Sequence, residues 1–179
     1  MARKHEQDHE NASDEWCTQV EVLDPIYEHF GPIGLDPFGH PDSKVVADTT
    51  IMLPKYSDAA RKGVIFGDGL EFSWDDLGLV FANGPFSKLR TDRDYTSWAE
   101  KGAKEGDEAI LLVPARTGSD WWQRFISPAD VILFWRGRMH FDGAPHSATF
   151  HTALVYWGNR PELMAKAYGP RHWRVEHGH

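Results

Sequence analysis

The sequence predicts an α/β fold: one open, mostly parallel sheet with helices on its faces. Three observations lead there. From Val64 onward, short apolar runs alternate with segments of helical spacing, the pattern of strands joined by crossover helices. The run from Glu108 to Val113 is apolar at every position after the first, which suits a central strand covered on both faces. The last two strands are joined too tightly for a helical crossover, so at least one pair is expected to run antiparallel, giving an antiparallel C-terminal strand. A chain of 179 residues is long enough for one substantial core and short for two.

Residues 1–15 are polar and read as a disordered tail, 16–160 as the main domain and 161–179 as a C-terminal extension. A first helix is expected over 19–30, where Val20, Leu23, Ile26, Tyr27 and Phe30 recur near helical spacing. Pro25 falls inside it, unless the helix starts at Asp24 with Pro25 at its first position. Ile33 to Pro37 reads as a very short strand ending in the carboxylate of Asp36, and 37–60, rich in Pro, Asp, Ser and Thr, as mostly irregular. Strands follow at Val64–Phe66 and Leu79–Ala82, a helix over 92–104 with Tyr95, Trp98 and Ala99, and the central strand at 108–113. A short helix is expected from Ser119 to Phe125. Strands are expected at Val131–Trp135, Arg138–Phe141 and Thr152–Trp157, then a small helix after Pro161 and a polar, His-rich end.

Composition narrows the function. Apolar residues make up 41% and aromatic residues 13%, so some rings should line a pocket while most fill the core. The single Cys17 excludes an internal disulfide and a cysteine-based metal cage. No apolar run is long enough to span a membrane, and the N-terminus lacks a signal-peptide pattern, so a cytoplasmic protein is expected. The net charge of −8 argues against tight, nonspecific binding to phosphate backbones. Arg116, Arg124, Arg136 and Arg138 nevertheless lie close in sequence. They form a nucleic-acid-facing edge if they share one face, and ordinary surface charge if they do not.

In open α/β sheets ligands sit beyond the carboxyl ends of the strands, which puts Asp36, Asp68, Asn83 and Pro114 on one rim. Asp36 can accept hydrogen bonds from a cofactor hydroxyl or amine, or simply cap the following turn. Asp68 carries the same two readings, because Asp-Gly is a common turn pair. Asn83-Gly84-Pro85-Phe86 is more specific, for it stops an apolar strand at a polar amide, a tight turn and a ring. The Asn oxygen and a nearby carbonyl can accept both hydrogens of an exocyclic amine while Phe86 stacks on the attached ring. Such contacts aim the nitrogen lone pair at an electrophile and stabilise the charge that develops; the plain alternative is an ordinary turn. Arg116, just past the central strand, can pair with a carboxylate or phosphate. Trp121 and Trp122 either wall a pocket or pack a helix on the sheet. Neither GxGxxG nor GxxxxGK[ST] occurs, and the spacing of His140, His146 and His151 matches neither HExxH nor a zinc finger, so no metal is expected.

These residues carry a resemblance to the phage-type DNA N6-adenine methyltransferases, the Dam-like family. Asp14 to Gln19 resembles the family's opening Trp-aromatic-Thr-Pro segment, and Leu35-Asp36-Pro37 its Leu-Asp-Pro/Val-Cys strand end. Asp68-Gly69-Leu70 and Trp74 resemble the segment before the catalytic strand. Asn83-Gly84-Pro85-Phe86 stands at the Asn/Asp-Pro-Pro-Tyr/Phe motif, with Gly84 in place of the first Pro and Phe86 lacking only a hydroxyl. Leu112 to Thr117 followed by Trp121, then Arg136-Gly137-Arg138 with Phe141, and finally Ser147 to Val155 extend the match in one order.

The resemblance implies a Rossmann-like, S-adenosylmethionine-dependent methyltransferase fold. It puts Thr18 and Asp36, with Asp68, on the cofactor side. Asn83, Pro85 and Phe86 would hold a flipped adenine, and Arg116, Trp121 and Arg138 would meet substrate or buttress the pocket. The methyl group would pass from the sulfonium sulfur to adenine N6, a proton leaving afterwards, on a base extruded from the duplex. Double-stranded DNA or a nucleotide-like substrate is the expected partner, in a phage-infected or prophage-bearing bacterial host, with no membrane. A homodimer or an accessory partner is left open. Two alternatives stay open beside this: the same fold acting on another or modified base or nucleotide, and an inactive DNA- or protein-binding module.

Overall fold

The computed structural model describes residues 16–86 and 95–176. The tail expected over 1–15, the start of the helix expected from 92 and the last three residues lie outside the described residues.

Eight strands form one sheet in the order β3-β2-β1-β4-β5-β7-β6-β8. They are β1 (Ile33–Gly39), β2 (Ala47–Met52), β3 (Val64–Phe66), β4 (Leu79–Ala82), β5 (Glu108–Pro114), β6 (Val131–Phe134), β7 (Thr152–Trp157) and β8 (Trp173–Glu176). The first five in space, β3 through β5, run parallel. β7 is antiparallel to both β5 and β6, and β8 is antiparallel to β6. Among the described residues three α-helices cover the sheet: α1 (Val20–His29), α2 (Tyr95–Lys104) and α3 (Glu162–Tyr168).

Strand alternation divides the core in two. Phe81, Ile110, Leu112, Leu133, Leu154 and Tyr156 pack with α1 and α3 on one face, around Leu23, Ile26 and Met164. Val80, Ala82, Leu111, Val113 and Val155 face the other way, against Trp74, Trp98, Trp121 and Trp122. All seven residues of β5 are buried, as its unbroken apolar run requires. α1 runs through Pro25, which cannot donate its share of the helix ladder, and the Tyr168 hydroxyl donates to the Val22 carbonyl one turn away at 2.7 Å.

Where the first residue of β5 meets the end of β7, Glu108 accepts from the Tyr156 hydroxyl at 2.6 Å and from Arg160 Nε at 3.0 Å, with a second contact from Arg160 Nη2. Arg160 Nη1 also donates to the Phe30 carbonyl at the end of α1 at 3.3 Å. The cluster ties α1, β5 and β7 together through a nearly buried carboxylate. Arg160→Ala leaves that charge without its partner. Because 40% of the Arg160 side chain is exposed, the expected cost is about 2 kcal/mol rather than the larger penalty of a fully buried pair. A thermal melt should then show the midpoint lowered by about 4–8 °C.

Three expectations need correction. β2 lies within the stretch expected to be irregular, and pairs with β1 and β3 on either side. β1 does not end at Asp36 but continues to Gly39. Residues 138–141 form no strand, since Met139 and Phe141 turn inward from a loop without a strand beside it. The short helix expected at 119–125 is present, as two helical residues followed by a single π-helical turn over Trp122–Ile126. The extension after 160 supplies α3 and β8, both joined to the same sheet.

Candidate functional site

The sheet order creates the site. From β1 the chain moves outward to β2 and β3, whereas β4 lies on the other side of β1 and leads to β5. The strand order therefore reverses between β1 and β4, and a crevice opens there at the carboxyl ends of the strands. Register sets the depth: Leu35 pairs with Val80, which brings Asp36 level with Phe81. A narrow cavity of about 30 Å³ lies at this point, bounded by residues from β1, from the loop after it at Ser43 and Val45, from the end of β4 and from the segment before α1. β1 supplies Asp36 and Phe38, with His40 just beyond, across an irregularity in its pairing with β2 between Asp36 and Gly39. β4 supplies Phe81, Asn83 comes just past its end, and the segment before α1 supplies Trp16, Cys17 and Thr18.

Asp36 is fully buried, with one oxygen accepting from the Phe38 amide at 3.1 Å. Burial pushes its carboxyl up to about 7, with the Phe38 N–H and then Arg61 pulling the other way. Thr18 Oγ1 is buried and has no hydrogen-bond partner among the described residues. Burial, followed by nearby acidic groups, also raises the Cys17 thiol to about 11, so it remains protonated and a weak nucleophile.

Asn83 follows β4 directly, and its Nδ2 donates to the Trp16 carbonyl at 3.2 Å. A carbonyl can only accept, so this bond assigns the amide nitrogen to Trp16 and turns Oδ1 the other way as an acceptor. The Trp16 segment is anchored in turn: Cys17 and Asp142 exchange backbone hydrogen bonds of 3.1 and 2.9 Å, and the Trp16 ring lies 6.0 Å from Phe141. Lys44 holds Asp142 at 2.5 Å and keeps its carboxyl below the usual range.

Phe86 sits among Trp98, Phe141 and Phe150, with centroids 5.4–6.4 Å away. At Gly84 an added Cβ would fall 2.8–3.0 Å from three atoms of the Trp98 indole. That contact supplies a physical reason for glycine at this position: the space is already taken.

Thr18, Asp36 and Asn83 thus share one cavity, with Pro85 and Phe86 continuing from it. Asp68 is elsewhere on the rim, beyond β3, where its Oδ1 accepts from the Leu70 amide at 2.9 Å and caps the turn. Trp121 is 7% exposed, packed against Trp122 on the α2 face, and does not line the cavity. Arg116 and Arg138 are exposed on neighbouring loops of the rim. His151 links those loops, its carbonyl accepting from Ala115 at 2.8 Å and its ring bonding the Gly137 carbonyl at 3.3 Å. Arg124 lies apart from them, over Phe125 on the α2 face.

Phe38, His40 and Trp98 escaped the sequence reading. Phe38 and His40 carried no clear sequence signal, because the pairing irregularity between Asp36 and Gly39 interrupts the alternation of β1. For Trp98 the signal was the missing side chain at Gly84, which asks what fills the space. Among the described residues no group of three or more His, Cys, Asp or Glu is gathered to hold a metal, and no helix is long and apolar enough to cross a membrane.

Comparison with solved structures gives the same architecture. A candidate RNA methyltransferase from Pyrococcus horikoshii matches over 78% of this chain and 81% of its own, with 14% identity and a TM-score of 0.54. A protein from Thermoplasma acidophilum matches over 77% and 86%, with 15% identity and a TM-score of 0.50. At such identities the likeness is one of fold. No curated protein matches at a significant level. Residues 5–153 match the family described as DNA N-6-adenine-methyltransferase (Dam), most of the sequence including β1, β4 and the cavity between them, and the chain belongs to that family as an S-adenosylmethionine-dependent methyltransferase.

Proposed function

We propose that the protein methylates adenine N6 in DNA, using the acceptor turn Asn83-Gly84-Pro85-Phe86. One observation carries this reading: the Trp16 carbonyl fixes the Asn83 amide so that Oδ1 stands as an acceptor at the strand-order reversal. An exocyclic amine donates to such an oxygen, and a nitrogen so held keeps its lone pair free for the incoming methyl group. The same contact favours the positive charge that grows on nitrogen as the bond forms, with a proton lost afterwards.

S-adenosylmethionine supplies the electrophilic methyl group. The donor set fits it: Asp36 offers a carboxylate to a cationic or hydroxyl-bearing group, and Thr18 Oγ1 is a buried hydroxyl in need of a partner. At about 30 Å³ the cavity has room for about one water, so binding the whole cofactor must open it. The boundary at 40–45 belongs to neither a helix nor a sheet strand, whereas 16–18 is moored to Asp142 through Cys17, so opening falls to the 40–45 side.

The rim loops supply the polyanion's side of the interaction. Between Trp135 and His151 the bases are Arg136, Arg138 and three histidines, and the one acid, Asp142, is paired with Lys44. In a chain of net charge −8, that local balance favours a DNA backbone here. Arg116→Ala and Arg138→Ala should each weaken DNA binding and lower the slope of log Kd against log salt by about 1. Affinity for S-adenosylmethionine should stay unchanged; an unaltered salt slope would remove these arginines from the contact.

The direct test is transfer of a labelled methyl group to unmodified DNA, followed by nucleoside analysis. Label in N6-methyladenine supports the proposal. Label in another base, or in free nucleotides alone, moves the acceptor while keeping the fold and the donor. A folded protein that binds S-adenosylmethionine and labels none of these substrates overturns it.

A further inference from the structure

We infer that Trp98 is a positioning residue for the acceptor turn, gripping three consecutive residues of it from behind. This inference rests on the reading of Asn83 to Phe86 as the turn that holds the methyl acceptor.

The contacts are successive. The Trp98 indole occupies the side-chain space of Gly84, whose Cβ would meet Cε2 at 2.8 Å, Nε1 at 2.9 Å and Cδ2 at 3.0 Å. Trp98 Nε1 donates to the Pro85 carbonyl at 3.3 Å. Its ring then lies 6.4 Å from that of Phe86, tilted by 34°. One side chain therefore sets the backbone at the first position, takes up the carbonyl at the second and borders the ring at the third.

Trp98 is itself held firmly enough to act as a template. It is 1% exposed, and Phe38 of β1 packs edge-on at 6.0 Å. One turn further along α2, Gly102 lets the helix seat directly on β5: a Cβ there would fall 2.6 Å from a Leu111 methyl carbon. Positions 98 and 102 lie on one helix face, so the contact that docks α2 also fixes the indole. The indole thus links the turn to β1, from which Asp36 faces the cavity. Because a displacement of about 1 Å at a reacting group costs about 100-fold in rate, a rigid support behind the turn acts on the chemical step.

The two positions should behave as a pair. Gly84→Ala forces Cβ against a buried ring, and should lower the single-turnover methyl-transfer rate by about 10- to 100-fold. Binding of S-adenosylmethionine should change less than about twofold. Trp98→Phe removes the N–H and reduces the ring, and should give a smaller loss of the same kind. Gly84→Ala combined with Trp98→Phe should be faster than Gly84→Ala alone, because the smaller ring makes room for the methyl group. A merely structural role predicts losses that track melting temperature and multiply in the double variant; that result, or full activity in a folded Gly84→Ala protein, overturns the inference.

A second measurement does not depend on the acceptor. In protein labelled with 5-fluorotryptophan, the Trp98 resonance, assigned by its loss in Trp98→Phe, should move in Gly84→Ala. An unmoved resonance overturns the contact. If the resonance moves but the unaltered enzyme methylates no DNA, the packing stands while the acceptor assignment fails, and with it the positioning role.

Discussion

Replacing Asn83 by alanine should lower methyl transfer to DNA by about 10²–10³-fold, the loss expected when one preorganised partner of developing charge is removed. The side chain makes one described hydrogen bond, to the Trp16 carbonyl at 3.2 Å, so the cost to stability should be only about 1 kcal/mol. Cofactor affinity should change little, because the Asp36 carboxylate and the Thr18 hydroxyl are untouched. Single-turnover kinetics beside equilibrium dialysis with S-adenosylmethionine separates these effects. A folded Asn83→Ala enzyme with undiminished turnover would remove the turn from the chemistry.

Asp36→Asn should produce the opposite pairing, a more stable protein that binds its cofactor worse. Burial raises the Asp36 carboxyl from the ordinary value of 3.8 to about 7. Between those pH values the folded protein holds a proton that the unfolded chain has released. Stability therefore falls as pH rises through this window, and the whole penalty is present above pH 7. A shift of this size corresponds to roughly 4 kcal/mol. Asparagine keeps an oxygen for the Phe38 amide and carries no charge, so melting at pH 8 should rise by several degrees while melting near pH 4 changes little. S-adenosylmethionine is cationic, and its affinity should drop about tenfold or more in the same variant, since removing a charged hydrogen-bond partner costs about 1.5–3 kcal/mol. In the unaltered enzyme, cofactor affinity should weaken below pH 7 as Asp36 takes up its proton. If Asp36→Asn leaves both melting and affinity unchanged at pH 8, the carboxylate has no part in holding the cofactor.

The two cases differ in how visible they were beforehand. Asn83 was legible because β4 is apolar without interruption and then stops abruptly at a polar amide, a local event. Asp36 was legible as a rim carboxylate, although its strand runs three residues further. The sequence Ala-Asp-Thr-Thr-Ile-Met hid β2, for its strand character comes from pairing with β1 and β3 rather than from an apolar run. β8 was hidden for a similar reason: Trp173 to Glu176 is short, mixed in character and at the sheet edge, and among the described residues its ladder is with β6 alone.

The false strand at 138–141 shows the converse. Arg138 and His140 are exposed while Met139 and Phe141 are buried, so the alternation is real. Alternation records which way side chains face, and a strand also needs a neighbour to pair with. The Gly84–Trp98 contact was unreadable for another reason. Fourteen positions separate the two residues, and only the docking of α2 on β5 brings the indole over the glycine.

The isolated bridge between Cys17 and Asp142 has a consequence for how this protein comes into being. The Asn83 amide takes its orientation from Trp16, and Trp16 is moored through the neighbouring residue to a loop 125 positions later. During synthesis the ribosome releases Trp16 first and Asp142 long afterwards, with β4 emerging between them. A nascent chain can lay β1 against β4 and still lack a fixed acceptor oxygen until the loop after β6 arrives. Competence is therefore conferred late, so an interrupted translation product ending before that loop keeps the Asn-Gly-Pro-Phe segment without the bridge that moors its orienting carbonyl.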